Sequence, residues 1–258
     1  MPADICKIKK RKDPDIEEGY QGKIFVTKRG EIIKTINKNR DYERYYLKLL
    51  KTRLKKKDSI FFNPYIAMKT CLDGNNHYLM KKLDGDLIKL IFSDKKLDFK
   101  NILLQLLISV YILNHKMKLY HNDLFYEEKV RNIMYIKNKD KNIIYENNFI
   151  KIKVGEYIIK IIDFGQSRKY PAHLTKKTKD SKYFEKLELT SEVLLTMHYY
   201  FQSIYLANNY SYSEELKEKT LKLGKRLEKK SEYNLKIFDQ LVIKYIKNNF
   251  NKYMEYLI

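Results

Sequence analysis

The sequence predicts an α+β fold in two parts. A small antiparallel β part carrying one helix comes first, and a larger, mainly helical part follows. Three observations predict this. β-rich segments on either side of Gly30 read as a hairpin. An amphipathic pattern from Arg40 to Lys57 follows them. Phe99 to Lys116 is apolar nearly all round and reads as a buried helix. Asp84-Gly85-Asp86 interrupts the pattern, so the boundary falls near residues 81–85. The expected division is an arm at 1–15, a β part at 16–83 and a helical part at 84–258.

Each element has its own warrant. Met1 to Asp15 is basic and polar with two prolines, as expected of a mobile arm. A strand-like pattern starts at Ile16 and includes Gly19-Tyr20-Gln21-Gly22. Lys23 to Thr27 and Glu31 to Ile36 read as strands joined at Lys28-Arg29-Gly30. In the next helix Tyr42, Tyr46, Leu49, Leu50 and Leu54 form the apolar stripe. Tyr65 to Leu72 and His77 to Lys82 read as strands joined by Asp73-Gly74-Asn75-Asn76. Leu87 to Phe92 begins a short helix. Ile133 to Ile136, Phe149 to Lys153 and Tyr157 to Ile162 are further strands, with a polar excursion over Lys137 to Asn148. A loop is expected over Gln166 to Lys182, then helices over Leu187 to Leu206, Glu214 to Lys229 and Tyr233 to Tyr256.

The charge balance is +21, from 53 Lys and Arg against 32 Asp and Glu. Such a field favours acidic partners: nucleic acid held without sequence preference, an anionic membrane surface, or acidic protein segments. The lysines are spread along the whole chain, which equally describes a solvated surface. Cys6 and Cys71 are the only cysteines. Two cysteines make neither a disulfide framework nor a zinc site, so a reducing, cytoplasmic setting is expected. The longest apolar stretch, Ile102 to Leu113, is broken by Gln105 and Ser109 and is too short to span a bilayer, so no membrane insertion is expected.

The chemistry concentrates between His121 and Gly165. His121-Asn122-Asp123-Leu124, Asn132-Ile133-Met134 and Asp163-Phe164-Gly165 each lie beside a predicted strand. Two carboxylates and a carboxamide there suit metal-assisted phosphoryl transfer. One carboxylate can take a hydroxyl proton, while the other and the carboxamide offer oxygen ligands to Mg²⁺.

With these pieces in order, the chain resembles the protein-kinase superfamily over roughly residues 16 to 210. Its Lys-, Ile- and Asn-rich style is similar to the divergent kinase-like proteins of large cytoplasmic DNA viruses. His121-Asn122-Asp123-Leu124 resembles H-R-D-L, and Asp163-Phe164-Gly165 is D-F-G unchanged. The resemblance implies a bilobal kinase-like fold with a reduced helical C-lobe. It implies ATP with Mg²⁺ (Mn²⁺ as the alternative metal), and transfer to Ser or Thr hydroxyls of proteins. By resemblance Asp123 is the catalytic base, Asn132 and Asp163 hold the metal, and Lys34 pairs with Glu43. Gly19 and Gly22 stand at the phosphate-covering loop, and Met80, Lys81, Lys82 and Leu83 form the adenine hinge. For a viral protein the setting would be host cytoplasm or virion.

Four departures matter. Eight residues separate Asp123 from Asn132, where the family has four. The surplus must bulge while returning Asn132 to the metal. Lys129, within that enlarged loop, is a candidate for a phosphate contact. Asn122 replaces the family's Arg, which implies activity that does not wait for loop phosphorylation. Ser167, Thr175, Thr178 and Ser181 then read as ordinary loop residues. The glycine loop lacks the full G-x-G-x-x-G form. No A-P-E follows D-F-G, and only 93 residues remain after Gly165, with Asp180 as a candidate brace for the catalytic loop. Two other functions compete: a small-molecule kinase of the choline or aminoglycoside phosphotransferase type, and a non-catalytic pseudokinase or basic binding protein.

Overall fold

The computed structural model describes residues 4–11, 22–94, 96–126, 129–130, 132–140, 143–146, 151–169 and 254–256, with isolated positions 218, 222, 244 and 248. It is an α+β structure built on antiparallel sheets. Gly19, Thr175, Thr178, Asp180, Ser181 and most of the expected helices from Leu187 onward lie outside the described residues; Met254–Tyr256, expected as the end of a helix over Tyr233 to Tyr256, is instead a strand.

The first sheet comprises β1 (Lys10–Arg11), β2 (Lys23–Thr27), β3 (Glu31–Asn37), β4 (Ala67–Thr70) and β5 (Asn75–Lys81), in the order β1-β2-β3-β5-β4. Gly30 makes the β2–β3 turn at φ +78°, where L side chains are strained. Thr27 Oγ1 accepts from the main-chain N–H groups of Arg29 and Glu31, and Gly30 N–H closes onto Thr27 O at 3.1 Å. Gly22 lies so close to β3 that an added Cβ would sit 2.6 Å from Thr35 O. Its missing side chain is therefore required by strand packing.

Helix α1 (Glu43–Arg53) follows β3. Asp41 fixes its start. One carboxylate oxygen accepts from Arg44 N at 2.9 Å, and the other accepts from Asn76 Nδ2 at 2.7 Å and from the Tyr78 hydroxyl. Burial and the adjoining Asp41 charge push the Tyr78 hydroxyl pKa up, so it stays a donor. Leu47 and Leu50 are buried, whereas Tyr42 is 66% exposed. Leu49 and Leu50 are buried as expected and Tyr46 and Leu54 pack against the core, so the inward face departs from the expected stripe only in losing Tyr42 and gaining Glu43 and Leu47.

Residues 4–11 depart from the expected mobile arm. Ile5 is buried against Ile33 and Leu79, β1 pairs with β2, and Cys6 is disulfide-bonded to Cys71. The expectation of two reduced thiols is corrected here. Ile5 docks beside the β4–β5 hairpin and brings the two Cα atoms to 5.7 Å, although 65 positions separate them in sequence. The bond withdraws the thiol-based argument for a reducing compartment.

Beyond β5 come β6 (Gly85–Asp86), α2 (Leu87–Ser93) and α3 (Phe99–Tyr111), which continues as a π-helical turn over Ile112–Lys116. Asp86 caps α2 by accepting from Ile88 N and Lys89 N; Asp98 caps α3 through Asn101 N. Gln105 and Ser109, which interrupt the apolar run, are both buried and satisfied. Gln105 donates to Tyr157 O at 2.8 Å and accepts from Ile159 N at 3.0 Å, while Ser109 donates to Gln105 O. α3 is thereby fastened to the Tyr157–Ile161 strand, which leads into Asp163.

The remaining strands are short: β7 (Leu119–Tyr120), β8 (Phe125–Tyr126), β9 (Lys129–Val130), β10 (Ile133–Lys137), β11 (Ile144–Glu146), β12 (Lys151–Lys153), β13 (Tyr157–Ile161), β14 (Arg168–Lys169) and β15 (Met254–Tyr256). β13-β10-β6 form one sheet and β11-β12-β15 another. β11 lies within the expected polar excursion. It forms because Tyr145 points inward, fully buried, and packs on Phe61 with ring centroids 5.1 Å apart. Among the described residues, no helix is long and apolar enough to cross a membrane.

Asp58 ties these parts together. Its buried carboxylate accepts from Lys116 Nζ at 2.7 and 2.9 Å and from the Tyr145 hydroxyl at 3.0 Å. Asp58→Ala removes the acceptor of the buried Tyr145 hydroxyl and the partner of a half-buried ammonium. The expected cost is about 2–4 kcal/mol, read as a lower urea midpoint at unchanged m-value.

Candidate active site

β13 delivers its chain into the site and ends in a sharp reversal. Asp163 adopts φ +57°, and the next residue, Phe164, is buried. Asn122 and Asn132 take the same left-handed region, at φ 61° and 56°. Asn and Asp tolerate this conformation better than other side chains. Such backbone is held in place by its surroundings.

Lys34 on β3 is the central cation. Its Nζ lies 2.5 Å from Glu43 Oε2 on α1 and 3.2 Å from Asp163 Oδ1. The other Glu43 oxygen accepts from Phe164 N–H at 3.0 Å. One buried carboxylate thus joins the first sheet, α1 and the turn after β13. Burial opposes charge on Lys34, but the carboxylates of Glu43 and Asp163 outweigh it and hold the ammonium above its ordinary pKa. Burial pushes the Glu43 carboxyl up, partly offset by Lys34. The two carboxylates differ in access: Glu43 is 1% exposed and Asp163 is 40% exposed. Asp163 is the one that incoming ligands can reach.

His121 supports the turn from below. Its Nε2 donates to Ile162 O at 2.8 Å, and its ring lies 4.8 Å from that of Phe164, which also meets Phe62 at 6.3 Å. Burial drives the imidazole pKa down to about 4, so the ring is neutral with the proton on Nε2. The sign follows directly. The folded pKa lies below the unfolded value near 6.5, so His121's contribution is complete above pH ~6.5 and is lost as pH falls towards 4. About 3 kcal/mol is at stake on this linkage. Urea midpoints measured between pH 7 and 4 should fall in wild type and flatten in His121→Gln.

Asp123 and Asn132 meet despite their long spacing. Asn132 Nδ2 donates to Asp123 O at 2.7 Å and to Asp123 Oδ2 at 3.0 Å. The surplus residues are taken up by the β8–β9 hairpin, with Phe125 opposite Val130 and Tyr126 opposite Lys129. A hairpin starts and ends at nearly the same point, so it lengthens the sequence without moving Asn132 away. Ile162 N–H donates to Asn132 O at 2.9 Å, which sets Asn132 against the residue preceding Asp163.

Other expected residues fall as follows. In the Met80–Leu83 segment, Met80 and Leu83 are buried and Lys81 and Lys82 are exposed. The Lys81 carbonyl is occupied by Asn63 Nδ2 at 3.0 Å. Asn122 Nδ2 faces Gln166 O at 3.5 Å, and β7 pairs with β14 beside it. Ser167 is buried and donates to His121 O at 3.3 Å, in keeping with a structural loop residue.

A hard oxygen donor set suits Mg²⁺. Asp163, as an accessible carboxylate, and Asn132, as a carboxamide, meet that chemical requirement. No protein-family model matches this chain, and no curated protein matches it significantly.

Proposed function

We propose that the chain is an ATP-dependent phosphotransferase of the protein-kinase type, with a bilobal fold, acting on Ser or Thr hydroxyls of proteins. One observation carries the reading. Lys34 bridges Glu43 and Asp163, a residue 129 positions away, while Asn132 reaches Asp123 across an enlarged loop.

In this reading Asp123 accepts the acceptor hydroxyl's proton and orients its oxygen. Asn132 holds Asp123 by its amide nitrogen. Glu43 fixes Lys34, whose ammonium neutralises phosphate charge. Asp163 and the Asn132 oxygen would hold Mg²⁺, which would neutralise charge on the transferring phosphoryl group. The main chain near Lys82 and Leu83 would receive adenine, given that the Lys81 carbonyl is already occupied. Gly22 would carry the first sheet over the phosphates, together with Gly19. The net charge of +21 favours acceptor sites flanked by Asp and Glu.

The test is transfer of labelled γ-phosphate to an acidic Ser/Thr protein substrate, with hydroxylated metabolites in parallel. Wild type should label protein, and Asp123→Ala and Asp163→Ala should each lose about 10²–10⁴-fold. Equal labelling by all three proteins rejects the proposal. Labelling confined to metabolites moves the assignment to the small-molecule class.

A further inference from the structure

We propose that Cys6, Cys71, Asp73 and His77 form a Zn²⁺ site once the Cys6–Cys71 bond is reduced. The site lies at the β4–β5 turn and is independent of the phosphotransferase reading.

The sequence spacing alone gives no zinc motif. The fold assembles one from the N-terminal segment and a single hairpin. Ligand atoms of Cys71, Asp73 and His77 all lie within 4.8 Å of one another, and Cys6 Sγ is bonded to Cys71 Sγ. His77 is buried, with Nε2 2.9 Å from Asp73 Oδ2. Cys71 is half-buried and Asp73 exposed, so an ion can enter from solvent. Two thiolates, an imidazole and a carboxylate form a four-donor set suited to tetrahedral Zn²⁺. Zn–S bonds of ~2.3 Å and Zn–N or Zn–O bonds of ~2.0 Å set ligand atoms about 3.3–3.8 Å apart. The ligand atoms of Asp73, His77 and Cys71 already lie within 4.8 Å of one another, and metal binding draws them closer while the two sulfurs move apart.

Cys6 stays beside the hairpin when the S–S bond opens. Ile5 remains buried against Ile33 and Leu79, Asp4 pairs with Lys69 at 3.0 Å, and β1 pairs with β2. Lys69 lies opposite His77 in the β4–β5 register, so that ion pair anchors Cys6 next to the ligands. The turn is fixed separately: Gly74 N–H donates to Cys71 O at 3.0 Å and Asn75 N–H to Asp73 Oδ1 at 3.0 Å.

The chemistry balances with a cellular dithiol as reductant. The dithiol gives two electrons and two protons, the Cys6–Cys71 bond breaks to two thiols, and the dithiol leaves as its own disulfide. Zn²⁺ then binds both sulfurs and displaces their two protons. The N-terminal segment is held in both states, by a disulfide under oxidising conditions and by metal under reducing ones.

The experiment uses the full chain reduced with a phosphine and titrated anaerobically with Co²⁺, then with Zn²⁺ in competition. Cys6 and Cys71 are the chain's only cysteines, so a thiolate-to-cobalt charge-transfer band can arise from no other residue. Oxygen ligands at the proposed Mg²⁺ site give no such band. Reduced wild type should show the band, Zn²⁺ should bleach it, and the oxidised chain should lack it. His77→Ala and Asp73→Asn should each weaken Zn²⁺ binding by about tenfold or more. Circular dichroism accompanies each titration. Absence of the band in reduced wild type, whether the chain stays folded or unfolds, overturns the proposal. Zn²⁺ affinity unchanged in both His77→Ala and Asp73→Asn overturns it as well.

Discussion

Lys34→Met is expected to lower phosphoryl transfer by about 10²–10³-fold and to destabilise the chain. The ammonium links Glu43 to Asp163, at 2.5 and 3.2 Å. Without it, a carboxylate that is 1% exposed loses its ion-pair partner while still facing a second carboxylate. Breaking a buried pair in this way costs about 3–5 kcal/mol. Glu43→Gln in the Lys34→Met background separates the two effects. The amide removes the stranded charge and keeps an oxygen for Phe164 N–H, so stability should largely return. Activity should not, because phosphate neutralisation needs the cation. Urea unfolding and labelled-phosphate transfer on the two single variants and the double variant give both readouts. Recovery of activity in the double variant would remove Lys34 from the chemistry.

Asn132→Gly is expected to lower turnover by about 10²-fold with little loss of fold. Asn132 sits at φ +56°, so glycine suits the backbone and deletes only the carboxamide. Asp123 then loses the donor that holds Oδ2 and the main-chain oxygen. Asn132→Ala should show the same kinetic loss plus about 1–2 kcal/mol of instability from left-handed strain. The apparent Mg²⁺ requirement should also rise, since the oxygen proposed to hold the metal disappears. Wild-type rates in Asn132→Gly would show that the long loop works without its carboxamide.

Much of this site was legible in sequence because its residues stand beside strands in a recognisable order. Lys34 and Glu43 were candidates for an ion pair, and the structure brings them to 2.5 Å. Asp123, Asn132 and Asp163 were candidates for one site. The structure joins the first two directly and links Asn132 to Ile162, next to Asp163. The spacing showed that something must bulge between Asp123 and Asn132. It did not reveal a hairpin, whose pairing depends on partners rather than composition. The Glu43 contact with Phe164 N–H was invisible because a main-chain donor leaves no residue signature.

The disulfide and the docked N-terminal segment were illegible for a related reason. Cys6 lies in a basic stretch that resembles a solvated tail, and long-range contacts, the burial of Ile5 among them, carry it to Cys71. β11 was hidden in a polar stretch where one residue, Tyr145, supplies the buried anchor. Helix α1 is visible by period, and Tyr46, Leu49, Leu50 and Leu54 do face the core; the pattern errs only at Tyr42 and omits Glu43 and Leu47. A buried Glu43 does not count as apolar in any periodic pattern, and Tyr42 does. Local periodicity finds elements; long-range pairs decide which faces turn inward.

The most direct test of the central claim is a crystal structure of the full chain with a non-hydrolysable ATP analogue and Mg²⁺. The account predicts phosphates at Lys34 and metal on Asp163 and the Asn132 oxygen. It also predicts the β8–β9 hairpin still returning Asn132 to Asp123. Nucleotide bound elsewhere, or metal with Asn132 turned away from it, would contradict the account.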